Sequence, residues 1–203
     1  MTTTSTKSKN DKCHEELDWP AFDTDFLNEL REKSLVAPRP VQKDTTGWMF
    51  SVVQTPWSLR EWAIDNLPIK LTDEWVVAFQ RFQESLHVAP HRDAIRKFSY
   101  NCLLTEGGPT TQFYTNKGQL FDSVVYGKNK WYFHNSSVPH GVENSDKSGE
   151  NIIRTAVTVF KVDPTQYSRA VPISLKGPAP TKVTPEVFLK AFRKDPFFYY
   201  AQN

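Results

Sequence analysis

Lys97–Leu104 (KFSYNCLL), Thr110–Thr115 (TTQFYT), Leu120–Tyr126 (LFDSVVY), Lys130–Asn135 (KWYFHN) and Ile152–Phe160 (IIRTAVTVF) follow one another as short runs rich in aromatic and β-branched residues. Gly, Asn, Asp and Pro clusters separate them. Apolar side chains recur within the runs at about every second residue, the period of a strand with one buried face. The stretch predicts an antiparallel sheet system, mainly β with flanking helices, of the jelly-roll or barrel-like kind.

Working outward, the chain before this stretch reads helical. Phe22, Phe26, Leu27 and Leu30 fall on one helical face between Trp19 and Ser34, with Asp23 or Asp25 available as N-cap. Trp48–Gln54 (WMFSVVQ) is a short β-like run, and Ser58 to Glu61 has capping-box spacing for a helix ending near Leu67. Trp75, Phe79, Phe82 and Leu86 recur at helical spacing and predict a further helix from Thr72 to Pro90. Beyond the β-like runs, residues 163–182 form a Pro-containing connection, and Thr184-Pro185 marks the start of a last helix. The expected division is a disordered leader over 1–16 and one domain over 17–203. That domain comprises a helical buttress (about 17–90), a β core (about 91–162) and a C-terminal part (163–203).

The 25 basic and 23 acidic residues nearly cancel, so bulk charge calls for neither nucleic acid nor a membrane surface as partner. Two cysteines, Cys13 and Cys102, make no disulfide framework, which fits a reducing, cytoplasmic setting. The polar opening MTTTSTKSKN has no apolar signal core, and no run approaches the ~18 apolar residues of a membrane span. The PFFYY tail at 196–200 is aromatic enough to pack on the domain or on a second copy, a homodimer contact.

His91-Arg92-Asp93 places an imidazole and a carboxylate two residues apart, on one face of extended backbone. His140, 49 positions later, is the candidate second imidazole. Two His and one carboxylate form the facial triad that suits Fe(II) and leaves positions for a chelating cosubstrate and O2. The HRD tripeptide alone is a weak signal. Arg154 adds to it: it follows His140 by 14 residues and shares a strand face with Ala156, Thr158 and Phe160. A guanidinium on an apolar face needs an anion, either a dicarboxylate cosubstrate held bidentately or a structural Asp or Glu.

With these residues in place, the sequence resembles the double-stranded β-helix, cupin-like superfamily of Fe(II)- and 2-oxoglutarate-dependent oxygenases. Its segment FHNSSVPHGVENSDKSGENIIRTAVTVF (133–160) is similar to the distal motif of the aspartyl/asparaginyl β-hydroxylase branch. The resemblance covers about residues 85–161 and implies His91, Asp93 and His140 as iron ligands and Arg154 as the base that holds 2-oxoglutarate. It implies hydroxylation of a peptide, amino-acid or small-molecule substrate with O2, releasing succinate and CO2. Asp93 stands where some members of that branch lack a carboxylate, and SDKSGEN lengthens the turn before Arg154.

Tyr100, Cys102 and Asn144 are secondary candidates for the cosubstrate pocket, each with a structural alternative in packing or a turn. His87 lies four residues before His91, but Pro90 intervenes and no HExxH glutamate accompanies them. His134 reads as a half-buried structural residue and His14 as part of the leader. Two other functions remain open: a cupin-like metalloenzyme not using 2-oxoglutarate, and a non-enzymatic β-sandwich binding module.

Overall fold

The computed structural model describes residues 12–35, 42–43, 49–51, 56–72, 74–82, 87–93, 96–106, 110–143 and 154–161. Residues 163–203, with the connection, the last helix and the aromatic tail, lie outside this described part, as does Asn144. In chain order the elements are β1 (His14–Leu17), α1 (Thr24–Leu35), β2 (Gln42–Lys43), β3 (Met49–Ser51), α2 (Trp57–Asn66), β4 (Trp75–Phe82) and β5 (His87–His91). Then come β6 (Ser99–Leu103), β7 (Thr110–Tyr114), β8 (Leu120–Val124), β9 (Trp131–His134), β10 (His140–Glu143) and β11 (Arg154–Lys161).

Strands β4 to β11 pair from the outside inward: β4 with β11, β5 with β10, β6 with β9 and β7 with β8, all antiparallel. This long strand pair, folded back across two layers, gives a seven-stranded sheet ordered β1-β9-β6-β11-β4-β3-β2 and a four-stranded sheet ordered β5-β10-β7-β8. It is the double-stranded β-helix, the jelly roll expected from the strand-period runs.

The segment after Thr72 departs from the expected helix. It forms β4 and β5. Val77 and Phe79 join the core beneath the helices, with Trp75 packed against it, while Val76 and Ala78 are also buried from the intervening positions. A strand buried on both faces is apolar nearly throughout, so any spacing, including 3.6, can be picked out of it. The β core therefore begins at Trp75, not near residue 91. His14 to Glu16, expected within the leader, belong instead to β1, which pairs with β9.

The two helices cover the outer face of the longer sheet. Leu27 and Leu30 of α1 and Leu59 and Ala63 of α2 pack with Val77, Phe79, Cys102, Leu104, Trp131, Val157 and Val159. Asp23 caps α1: its carboxylate accepts from the Phe26 N–H at 2.9 Å. The capping box expected at Ser58 is not formed, because α2 starts after Pro56 and its first turn already contains Ser58. Glu61 instead accepts from Trp57 Nε1 at 2.9 Å.

Alternation then separates outer core from interior. On β6, Cys102 lies in the outer core and Tyr100 packs against it, with Trp19 at 4.5 Å and Trp75 at 6.2 Å between ring centroids. The intervening Ser99, Asn101 and Leu103 are buried as well. Leu103, Tyr126, Tyr132 and Ala156 form a separate apolar cluster with Val124 against it.

Candidate metal centre

β5 ends on His91 and β10 begins on His140, and the antiparallel pairing sets the two opposite each other. The pairing slips between His140 and Val142, an irregularity of the kind that re-aims a side chain beside a site. Their rings stand 4.5 Å apart between centroids, tilted by 52°. Asp93 follows just past the strand end, where its N–H donates to the Ser136 carbonyl at 3.2 Å. That bond ties the HRD segment to the turn leading into His140.

Asp93 Oδ1 lies 3.8 Å from His91 Nε2 and 3.9 Å from His140 Nε2. All three ligand atoms fall within 4.8 Å of one another. Donors on one ion at ~2.1 Å stand at most ~4.2 Å apart, so the two carboxylate–imidazole spacings already fit a shared ion. His140 Nδ1 faces the Val138 carbonyl at 2.9 Å. A carbonyl only accepts, so Nδ1 carries the hydrogen and Nε2 keeps its lone pair for a metal.

Protonation agrees with that role. Burial alone would raise the Asp93 carboxyl, but the Arg96 guanidinium, 2.6 Å from Oδ2, and the imidazoles of His140 and His134 outweigh it. The group is held well below the ordinary carboxylate range. Burial is the largest influence on His140 and lowers its imidazole despite the opposing pull of Asp93. Carboxylate and neutral imidazole are the forms that bind metal.

Arg96 went unnoticed in the sequence, although it stands three residues after Asp93. Besides Asp93 it reaches Thr158 Oγ1 at 3.4 Å and lies over the Phe160 ring at 4.8 Å. It thus connects the His91–Asp93–His140 cluster to the face of β11 that carries Thr158 and Phe160. Arg154 opens β11 opposite Phe82 and, by alternation, occupies the same face position as Ala156, Thr158 and Phe160; its side chain lies outside the described part.

His134 is more deeply buried than expected and sits within the cluster. Its ring is 4.5 Å from that of His140, nearly perpendicular at 85°, and its Nδ1 shares a 2.8 Å hydrogen bond with the Tyr126 hydroxyl. His14 also differs from expectation: on β1 it lies opposite His134, stacks on Phe113 at 5.5 Å and approaches Asp122 at 3.4 Å. His87 and His91 mark the two ends of a strand, so they form no helical pair. Tyr100 and Cys102, expected near a cosubstrate, belong instead to the packing beneath the helices, because their strand positions alternate with those of Ser99 and Asn101. Burial pushes both the Tyr100 hydroxyl and the Cys102 thiol up.

No family model and no curated protein sequence matches the chain. Solved structures do match. The non-heme alpha ketoglutarate dependent epimerase SnoN from nogalamycin biosynthesis aligns at a TM-score of 0.50 and 13% identity, over 84% of this chain and 88% of that one. Fold is what the two share. A 2OG-Fe(II) oxygenase family protein from Burkholderia pseudomallei aligns at 0.48 and 16% identity, over 74% of this chain and 85% of that one. The DMSP lyase DddQ from Ruegeria pomeroyi DSS-3 aligns at 0.34 and 14% identity, over 45% of this chain and only 40% of that one. No helix among the described residues is long and apolar enough to cross a membrane.

Proposed function

We propose that this protein is an Fe(II)- and 2-oxoglutarate-dependent dioxygenase that hydroxylates a peptide or amino-acid side chain, releasing succinate and CO2. The observation that carries the reading is the convergence of His91, Asp93 and His140 from separate segments, with Asp93 ionised and His140 neutral. Three such donors suit Fe(II) and leave positions for a chelating cosubstrate and O2. Iron held there supplies the redox chemistry that couples O2 to oxidation of cosubstrate and substrate.

The chain's own part is to hold and orient. Arg96 occupies Asp93 Oδ2, which leaves Oδ1 as the oxygen facing the two imidazoles. Arg154 is assigned to the far carboxylate of 2-oxoglutarate, where its planar fork binds bidentately. Between position 154 and Phe160 the same face of β11 carries only Ala156 and Thr158, and Ala78 stands opposite Thr158. Small side chains on that face are what a short dicarboxylate reaching from Arg154 toward the metal would require.

Asn101, opposite Thr158 on the other side, supports the fit. Its Nδ2 donates to Ser99 Oγ at 3.0 Å, while its buried Oδ1 has no partner among the described residues. Such an orphan costs about 1–3 kcal/mol, a cost that a bound polar ligand relieves. The test is succinate formation from 2-oxoglutarate by the iron-loaded protein, screened against free amino acids and peptides. A slow uncoupled rate, raised by the true substrate, is expected; no succinate under any condition would overturn the reading.

A further inference from the structure

We propose that His134, itself held by Tyr126, is a positioning residue that sets the orientation of His140 in the metal centre. The inference rests on the His91, Asp93 and His140 reading and adds a residue to it.

His134 closes β9, where it pairs with Ser99 of β6. Its Nδ1 and the Tyr126 hydroxyl are 2.8 Å apart, with the two residues only 6% and 4% exposed. Tyr126 is fixed in turn: it stacks on Tyr132 at 4.5 Å, and the Tyr132 hydroxyl accepts from the Gly127 N–H and donates to Glu16 at 2.8 Å. The His134 ring therefore has little freedom to turn.

His140 needs such a neighbour. The Val138 carbonyl fixes its tautomer, but one hydrogen bond on Nδ1 leaves the ring able to swing about it. The His134 ring stands perpendicular against it at 4.5 Å, and the fully buried Phe113 lies 5.3 Å from His134 and 6.5 Å from His140. These two rings confine the imidazole from the side, and His91 confines it from across the strand pair. His134 is not itself assigned as a ligand: among the described residues, the donors that gather within 4.8 Å are His91, Asp93 and His140 alone. Outer-shell partners that hydrogen-bond a metal-bound imidazole typically change metal affinity about 10- to 100-fold when removed, and a ring that packs on it without such a bond belongs at the low end of that range.

Co(II) titration of the full chain tests this, because the ion reports both affinity and ligand geometry through its visible bands. His134→Ala is expected to weaken Co(II) binding about tenfold and to shift the bands, while His134→Phe, which keeps a ring, returns affinity to within about threefold of wild type. A His134→Ala protein with unchanged affinity and bands overturns the proposal. So does one that loses Co(II) as fully as His140→Ala and is not rescued by Phe, since His134 is then a ligand. Should His134→Ala fail to fold, Tyr126→Phe removes only the hydroxyl: a band shift with about threefold weaker binding is expected, and identity with wild type overturns the proposal. A His140→Ala protein that binds Co(II) normally removes the metal reading itself.

Discussion

His140 faces His91 across the antiparallel pairing of β10 with β5, their rings 4.5 Å apart between centroids. Backbone register, rather than loop conformation, thus brings together two residues far apart in sequence. His140→Ala leaves the backbone pairing in place and removes one donor. The variant is expected to keep the far-ultraviolet circular dichroism of wild type and to bind Co(II) or Fe(II) too weakly for titration to detect. Retained wild-type binding would contradict the assignment of a metal to this cluster.

Acid should weaken the metal-free protein through His140. Its folded-state pKa is depressed by burial, so the unfolded chain takes up the proton first, near its ordinary ~6.5. The contribution to stability is present above that pH and is lost as pH falls. Asp93 is also depressed, so its contribution persists until the pH drops below the ordinary carboxylate value of ~3.9. Urea unfolding at about pH 7.5 and about pH 5.5 is expected to show a loss of stability that His140→Gln reduces. Equal losses in both proteins would contradict the assigned direction.

Ser99 and Asn101 carry polarity that packing does not need. Among the described residues the buried Asn101 Oδ1 has no partner, and its Nδ2 bonds to Ser99. Replacing both at once, Ser99→Ala with Asn101→Leu, removes each partner of that bond, so thermal stability should stay level or rise. Affinity for 2-oxoglutarate, measured with Co(II) in place of iron, should fall about tenfold, the equivalent of ~1.4 kcal/mol. Unchanged affinity would assign the pair to structure alone.

Arg154→Ala separates cosubstrate from metal. Losing a charge-assisted bidentate contact is expected to weaken 2-oxoglutarate about 10- to 100-fold. Co(II) affinity should not change. An Arg154→Ala protein with wild-type affinity for 2-oxoglutarate would show that another residue takes the far carboxylate.

Trp131 probes the scaffold. It is 1% exposed, packs between the helices and the longer sheet, and donates from Nε1 to the Pro20 carbonyl at 3.0 Å. Trp131→Ala should cost about 3–5 kcal/mol by urea unfolding. A cost under about 1 kcal/mol would mean that the outer core collapses to fill the space.

Most strands were legible in the sequence from their aromatic and β-branched content between turn residues, including β11, which is buried on both faces, but β4 was not. TTQFYT alternates visibly and forms β7, which is buried at every second residue. WVVAFQRF, apolar on both faces, imitates a helix and forms β4. The same difference governs the site. His91, Asp93 and His140 could be picked out by residue type and order, and the structure brings their ligand atoms within 4.8 Å of one another. Arg96 and His134 could not, because their contacts with Asp93 and His140 come from position and burial, which residue type does not encode. Tyr100 and Cys102 failed for the converse reason, because alternation puts a one-residue neighbour on the opposite face.

The most direct measurement is anaerobic addition of 2-oxoglutarate to the Fe(II)-loaded full chain, followed in the visible region. A weak charge-transfer band that saturates with 2-oxoglutarate, and is lost in both Asp93→Ala and His140→Ala, is the result expected of iron held by these residues with the cosubstrate chelated to it. A folded, iron-loaded protein with no such band at any 2-oxoglutarate concentration would contradict the assignment.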